Sequence, residues 1–349
     1  MPCYSKCTDS GPHTCNKDKG GLFGSQNEYL FLEGDDIQGL INLIEPDEDY
    51  ATNNTAIQAM VRCILTPPSS PRMANHQALF NTNDIRDWTK PQLEHSKAFR
   101  NNFPSTNYPL GINFSDYDKS KNIRLKSYFD SVEFNGKDDS FTSKCHLDAW
   151  YDSVMYAAGC TWFPIFNDRD FQSGIASVKP SQEYTTIDVK FENEYASAPK
   201  VVCWLRAFDL DKGGDWRIDV TPTDVTTKGC KLKFRVWGTT KAYWIEASWI
   251  AHPTDRSHIE SGSFDTQEQR DWQKPQHEHQ KKVTFSKKFT RPPVVYYAIS
   301  RIDETNKGNL RVKAYVKDVT AQGMTCHLDS WHDTVMYTTV GQWIAIQKY

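Results

Sequence analysis

An aromatic triplet that recurs three times at identical spacing constrains this chain more than any other feature. Each copy is a Trp, a Tyr six residues later and a second Trp six residues after that. Trp and Tyr are uncommon, so three such matches indicate an internal repeat of roughly ninety residues, which is long enough to fold as a module. The copies are Trp150, Tyr156 and Trp162; Trp237, Tyr243 and Trp249; and Trp331, Tyr337 and Trp343.

The 349 residues therefore divide into an N-terminal segment and three modules. A Pro- and Ser-rich stretch at 66–71 separates the two parts, and residues 35–45 and 54–65 before it have the apolar spacing of short helices. The predicted boundaries are 1–74 for the N-terminal segment, whose role the sequence does not assign, 75–167 for module 1, 168–253 for a divergent module 2, and 257–349 for module 3.

Composition excludes several classes of function. The net charge of −3 gives no basic surplus for nucleic acid, and apolar stretches are only strand-length, which predicts no membrane insertion. The first residues lack the apolar region of a signal peptide, which predicts a cytoplasmic or unconventionally secreted protein. Nine cysteines with irregular spacing predict mostly reduced thiols, and Cys3, Cys7 and Cys15 match no zinc pattern. No metal or cofactor is predicted.

Each repeat contains a stretch in which apolar and polar residues alternate. In the third, Leu310 and Val312 face one way while Arg311 and Lys313 face the other. A period of two predicts a half-buried strand with its arginine outward, so we expect Arg311→Ala to weaken ligand binding without unfolding the protein. Short strands, frequent turns and the lack of a helical pattern predict an all-β protein whose modules are small antiparallel β-sandwiches.

The two tryptophans of a triplet have different surroundings. The last begins an apolar closing strand, Trp343-Ile344-Ala345-Ile346 in the third copy, and is assigned to the core. The first has polar neighbours, which leaves two interpretations. It is either a core residue with solvated neighbours or a platform for the apolar face of a sugar ring, whose hydroxyls would bind an arginine.

No set of residues suitable for catalysis repeats. There is no Gly-x-Ser-x-Gly motif, and Asp148 and Asp329 recur beside the first Trp without a second carboxylate fixed against them. His277 and His279 form no pair shared with the first copy, where Leu93 and His95 stand instead, and we interpret them as surface residues. The sequence predicts that the protein is not an enzyme.

The chain resembles the H-type lectin family, which is known from snail agglutinins and the C-terminal domain of discoidins. The resemblance covers residues 75–347 and is carried by the Phe…Pro-Pro-Val strand, Asn309-Leu310-Arg311, the Ser-Trp-His-Asp-Thr segment and the closing Trp-Ile-Ala-Ile. It implies three tandem six-stranded antiparallel β-sandwiches arranged with pseudo-threefold symmetry, beside the short, partly helical N-terminal segment. It also implies that galactose or N-acetylgalactosamine binds near the interfaces.

The resemblance also implies which residues bind the sugar. The family's acidic residue lies in a loop that is shorter here, so Glu94, Glu183 and Glu278 are taken as stand-ins. Gly238 replaces the ring that follows the first Trp in the other copies, which predicts that the second repeat contributes the weakest site. The arginines are Arg124, Arg217 and Arg311; the stacking residues Trp150, Trp237 and Trp331; the tyrosines Tyr156, Tyr243 and Tyr337; and the residues after the Trp are Tyr151 and His332.

The leading hypothesis is a non-enzymatic, multivalent lectin of the galactose or N-acetylgalactosamine class that recognises cells or glycans as a monomeric pseudo-trimer. One alternative is a structural or protein-interaction scaffold that kept the fold but lost sugar binding. The recurring arginines argue against it, because a scaffold needs only the closing Trp. Another is an accessory subunit of an enzyme, but the polar N-terminal segment would make a poor active site. The sequence leaves further oligomerisation open.

Overall fold

The computed structural model describes residues 79–101, 106–135, 140–164, 171–287 and 289–347. The predicted N-terminal helices and the loop at 136–139 lie outside them. The described residues form 18 strands and two single-turn 3-10 helices, Thr82–Asp84 and Thr266–Glu268. The strands are β1 Leu79–Asn81, β2 Ser96–Asn101, β3 Leu110–Tyr117, β4 Ile123–Asn135, β5 Ser140–Asp148, β6 Met155–Trp162, β7 Gln172–Val178, β8 Tyr184–Lys190, β9 Lys200–Leu210, β10 Trp216–Thr223, β11 Gly229–Val236, β12 Ala242–His252, β13 Ile259–Asp265, β14 Gln280–Thr284, β15 Val294–Glu304, β16 Leu310–Lys317, β17 Gly323–Asp329 and β18 Met336–Ile346.

Three six-stranded antiparallel sheets contain all of these strands, and no sheet belongs to a single module. Strands β1–β6, β7–β12 and β13–β18 are here called modules 1, 2 and 3. The sheet orders are β1-β6-β3-β16-β17-β14, β13-β18-β15-β10-β11-β8 and β2-β5-β4-β9-β12-β7. Each sheet therefore joins half of one module to half of another, in the pairs 1 with 3, 3 with 2, and 2 with 1. The pairing closes into a ring, as the predicted pseudo-threefold symmetry requires.

The core confirms the alternation seen in the sequence. Leu310, Val312 and Ile123 have no exposed area, and Trp162, Trp249 and Trp343 at the ends of the triplets are buried. Each closing Trp packs against a Phe from the opposite half of its module, with ring centroids 4.7, 5.9 and 6.0 Å apart for the pairs Phe99–Trp162, Phe191–Trp249 and Phe285–Trp343. Burying one indole stabilises the fold by up to about 5 kcal/mol. The two halves of each module thus form the predicted β-sandwich.

The described residues within 79–99, 106–131 and 144–347 form one compact unit, which contains every contact discussed below. A second unit includes residues 132–135 and 140–143, within which the rings of Phe134 and Phe141 pack 5.2 Å apart. The five cysteines with described positions are free and buried. Among the described residues, no helix is long and apolar enough to cross a membrane.

Candidate functional site

The three recurring arginines lie where the modules join. β16 pairs with β3 so that Arg311 of module 3 stands opposite Asp116 of module 1, and its Nε donates to the Asp116 carboxylate at 3.1 Å. The same register places Arg124 opposite Asp209, with a 3.2 Å ion pair, and Arg217 opposite Asp303, with a 3.1 Å hydrogen bond. At every junction a carboxylate of the neighbouring module therefore faces the arginine.

A second carboxylate fixes each guanidinium. Asp333, two residues after Trp331, accepts from Nη1 of Arg311, and Asp152 accepts from Nη1 of Arg124 at 2.7 Å. Module 2 has Thr239 at that place in the sequence, and Arg217 instead donates its Nη2 to Asp215 at 2.6 Å. Among the described residues, one terminal nitrogen of each arginine then has no polar partner. It is Nη2 in the first two arginines and Nη1 in Arg217, and it remains available as a donor to a ligand.

The arginines point away from the core, as predicted, but they are largely covered. Their side chains are only 12%, 20% and 13% exposed for Arg124, Arg217 and Arg311. Burial raises the pKa of Asp116, against the opposing effect of the Arg311 guanidinium, and burial raises the pKa of Asp303 to about 6. Carboxylates that are costly to bury depend on a cation nearby. This changes the expectation that the arginines contribute little to stability.

The first Trp of each triplet is half-buried, and in two of the three triplets its ring packs against an aromatic ring of the neighbouring module. The ring of Trp331 lies 5.7 Å from that of Phe114, and the ring of Trp150 lies 6.3 Å from that of Trp244. Trp237 differs, because the Arg235 guanidinium lies over its ring at 4.7 Å.

The residue after each of these tryptophans has a left-handed backbone. The φ angle is 56° at Tyr151, 57° at His332 and 67° at Gly238. The common conformation shows that the three turns are built alike. Glycine adopts this conformation at no steric cost, so module 2 keeps the turn without a side chain in it.

The tyrosine at each junction comes from the next module. The guanidinium of Arg217 lies 5.5 Å from the ring of Tyr337 in module 3. Burial and a 3.0 Å hydrogen bond to Asp118 raise the pKa of Tyr156, and the nearby Arg311 of module 3 opposes that rise. Tyr243 likewise donates to Asp211, just beyond the strand that pairs with Arg124. The Trp and Tyr of one triplet therefore belong to two different junctions.

Two exposed tryptophans that the sequence analysis did not assign lie beside these tyrosines. Trp88 and Trp272 are 56% and 46% exposed, and their rings lie 6.2 Å from Tyr156 and 5.9 Å from Tyr337 in edge-on packing. The signal for them was the Arg-Asp-Trp motif shared by the first and third repeats. The second repeat lacks the motif, and among the described residues Tyr243 has no tryptophan packed on its ring in this way.

An Arg–His pair holds the backbone beside the site tyrosine. Arg270 donates to the Tyr337 carbonyl at 2.9 Å and to the ring of His279 at 2.7 Å, and the other ring nitrogen of His279 lies 2.9 Å from the Leu328 carbonyl. Burial lowers the pKa of His279, which suits a neutral ring that accepts from arginine. Module 1 repeats this arrangement with Arg86 and His95. His95 and His279 are buried, so the interpretation of His279 as a surface residue was wrong, whereas His277 is exposed.

The three glutamates taken as stand-ins do not lie with the arginines. Glu278 is exposed in a pocket beside Tyr315, and Glu183 forms a 2.8 Å ion pair with Arg235. Glu94 is also exposed, and its charge adds to the rise that burial causes in the pKa of Tyr128, the counterpart of Tyr315 in module 1. Within the described part of the chain, no three His, Cys, Asp or Glu side chains are grouped to hold a metal ion.

Parts of the chain are similar to known proteins. Residues 186–252 and 280–346 match the family model of the H-type lectin domain. Discoidin-1 subunits A and B/C of Dictyostelium discoideum are each 38% identical over 66 residues, which are 19% of this chain and 26% of each relative. The protein ATP synthase subunits region ORF 7 of Fuscovulum blasticum is 29% identical over 65 residues, 19% of this chain and 56% of that protein. A solved structure of recombinant discoidin II of Dictyostelium discoideum aligns with 44% of this chain. The alignment includes 76% of the discoidin II chain, with 16% identity and a TM-score of 0.21.

Proposed function

We propose that this chain, whose residues 186–252 and 280–346 match the H-type lectin domain, is a non-enzymatic lectin that binds glycans at its module junctions. One observation carries the proposal. At every junction an arginine is held by two carboxylates with one nitrogen left over, beside a half-buried indole and a tyrosine of the next module. Such a rigid donor next to an aromatic face suits a sugar ring, which has one apolar face and a rim of hydroxyls.

The expected affinity of one site is low. Covering about a third of a Trp, on the order of 60 Å², contributes ~1.5 kcal/mol, and one charge-assisted hydrogen bond adds about 1.5–3 kcal/mol. The total is near the ~4 kcal/mol of a millimolar site. Several sites on one particle would raise the avidity for a multivalent surface by roughly 10²–10⁴. The function proposed is therefore recognition of clustered glycans, as in agglutination or adhesion.

The resemblance to the H-type lectins favours galactose or N-acetylgalactosamine as the sugar. In those lectins a carboxylate helps to recognise the hydroxyl groups of the sugar. Since Glu278 lies elsewhere, we assign this role at the junction of modules 3 and 1 to Asp116 or Asp333, which already orient Arg311.

The three junctions are not equivalent, and we propose that the junction of modules 2 and 3 binds most weakly. A Cβ added to Gly238 would lie 2.1 Å from Nη1 of Arg217, so the one free nitrogen of this arginine lies against backbone. The Trp237 platform is also shared with Arg235. The junction of modules 3 and 1 has neither of these obstacles, and its Trp331 ring packs on Phe114 of the neighbouring module.

The test is a glycan array followed by titration calorimetry of the full chain. Wild type should bind galactose-class glycans, and Trp331→Ala should lose most of the affinity at one junction. Lys228→Ala, in an exposed turn with a side chain 75% exposed, is the control and should bind normally. Failure of the folded wild-type protein to bind any glycan would reject the proposal.

A second candidate, the structural scaffold, is favoured by one observation. Each arginine joins two modules through its ion pair, so its recurrence has a structural explanation as well. The two candidates predict different results when the ion pair is removed and the protein still folds. A lectin should lose sugar binding at that junction, whereas a scaffold has no sugar binding to lose.

A further inference from the structure

A pocket lies in module 3, over the strands β14, β16 and β17. Its volume is about 380 Å³, within the range of small-ligand pockets. Tyr315 in this pocket is four residues beyond Arg311 on β16, which places it about 13 Å further along the strand. The lining residues are Glu278, His279, Gln280, Tyr315, Lys317, His327 and Asp329.

Some side chains in this pocket are held by contacts with one another, and others have polar atoms without a hydrogen-bond partner among the described residues. Tyr315 donates to Asp329 at 2.7 Å, and its ring stacks on that of His327 with centroids 4.5 Å apart and planes 4° from parallel. Burial lowers the pKa of His327, so its ring is neutral and offers one donor and one acceptor. Among the described residues neither ring nitrogen has a hydrogen-bond partner. The exposed Glu278 adds an acceptor and Lys317 a donor.

Module 1 contains the same Tyr–His stack, but with a carboxylate beside the imidazole. The rings of Tyr128 and His146 are 4.5 Å apart and 9° from parallel, and Tyr128 donates to Asp148 at 2.8 Å. However, Asp130 occupies the position that Lys317 has in module 3, and its carboxylate lies 3.0 Å from Nε2 of His146. A carboxylate of the same module thus already lies beside this imidazole.

Module 2 has lost the stack. Thr221 pairs with Lys233 in its sheet where Tyr315 pairs with His327 in module 3. Among the described residues the imidazole of the stack therefore lacks an adjacent carboxylate only in module 3, where Lys317 stands at the position of Asp130 in module 1.

We propose that this pocket is a second subsite, which holds an inner residue of an oligosaccharide whose terminal sugar occupies the Arg311 site. The inference rests on the proposed lectin function. A neutral imidazole, a carboxylate and an ammonium around one pocket supply donors and acceptors in balance, which suits a neutral, hydroxylated ligand. Lys313 connects the two sites, since its Nζ lies 5.6 Å from the Phe114 ring and 5.4 Å from the Tyr315 ring.

The experiment compares a monosaccharide with oligosaccharides that end in the same sugar, by titration calorimetry and histidine NMR of the full chain. Wild type should bind the longer ligands about tenfold more tightly, which corresponds to about 1.4 kcal/mol. Only these ligands should shift the imidazole signals of His327, which are assigned by their loss in His327→Ala. Lys317→Asp, which copies module 1, should keep the monosaccharide affinity and lose the gain.

Asp130→Lys is the reciprocal variant and should open the equivalent pocket of module 1, adding a second length-dependent site. Monosaccharide binding without any gain from chain length, or a gain that survives both Lys317→Asp and His327→Ala, would overturn the subsite and leave the lectin function intact. Wild type that binds neither ligand would overturn both.

Discussion

Removing the Arg311 side chain is expected to damage two properties at once, ligand binding and stability. Arg311 and Asp116 belong to different modules, and their side chains are only 13% and 14% exposed. Arg311→Ala would leave the Asp116 carboxylate in a site where burial raises its pKa even with the arginine present. An orphaned buried charge is more costly than the intact pair is favourable.

The expected size of the effect follows from the two partners. Losing one member of a buried pair costs about 3–5 kcal/mol, whereas a half-exposed partner such as Asp333 contributes about 0–1 kcal/mol. We therefore expect Arg311→Ala to lower the free energy of unfolding by about 3 kcal/mol. For a chain of 349 residues the melting temperature should fall by roughly 4 °C.

The decisive comparison is with the double variant Arg311→Ala/Asp116→Ala, followed by thermal melting and calorimetry. The double variant removes the orphaned charge and should recover about 2 kcal/mol of stability relative to the single variant, while sugar binding at this junction stays lost. Lys119→Ala, which removes an exposed cation 3.8 Å from Asp333, is the matched control and should melt within about 1 °C of wild type. A double variant that melts below Arg311→Ala would refute the orphaned-charge reasoning. Sugar binding that survives in it would refute the role of the arginine as a donor.

Three other outcomes are expected. Trp343→Ala should cost about 3–5 kcal/mol of stability and Trp331→Ala clearly less, because only Trp343 is buried. Equal melting temperatures of the two variants would show that Trp331 acts as a core residue. Calorimetry should give a stoichiometry nearer two than three sugars per chain, and Trp237→Ala should change it little; three equal sites would contradict the inequality of the junctions. Burial lowers the pKa of His252 to about 4, so the unfolded chain binds more protons between that value and 6.5. Stability should therefore fall by up to about 3 kcal/mol as the pH drops through this range, and His252→Gln, measured by urea unfolding at several pH values, should flatten the profile.

The fold could be predicted from the sequence because its determinants are local. Alternation fixes which side of β16 is buried, and the closing tryptophans need only an apolar strand to be assigned to the core. Trp343 and Val312 are buried as their neighbours in the sequence predict.

The composition of the site could not be predicted in the same way, because it depends on pairing between modules. Arg311 and Asp116 are 195 positions apart, and nothing in one repeat says which strand of another will lie beside it. The same reasoning explains why the Trp and Tyr of one triplet were assigned to one site although the structure separates them. The available signal was an Asp that recurs at the end of the apolar run before each arginine strand, but no feature within a single repeat links this Asp to the arginine.

The ring of shared sheets has a consequence for biosynthesis. β3 is made early, but its partner β16 emerges almost two hundred residues later, and at ~5–20 residues per second the ribosome needs roughly 10–40 s to make the residues between Asp116 and Arg311. During that interval β3 presents an open sheet edge, the kind of surface on which chains cross-pair. On a polysome, the β16 of a neighbouring nascent chain is an equally good partner. Cross-paired dimers formed during translation are therefore the characteristic misassembly product of this architecture, and slower elongation should increase their yield.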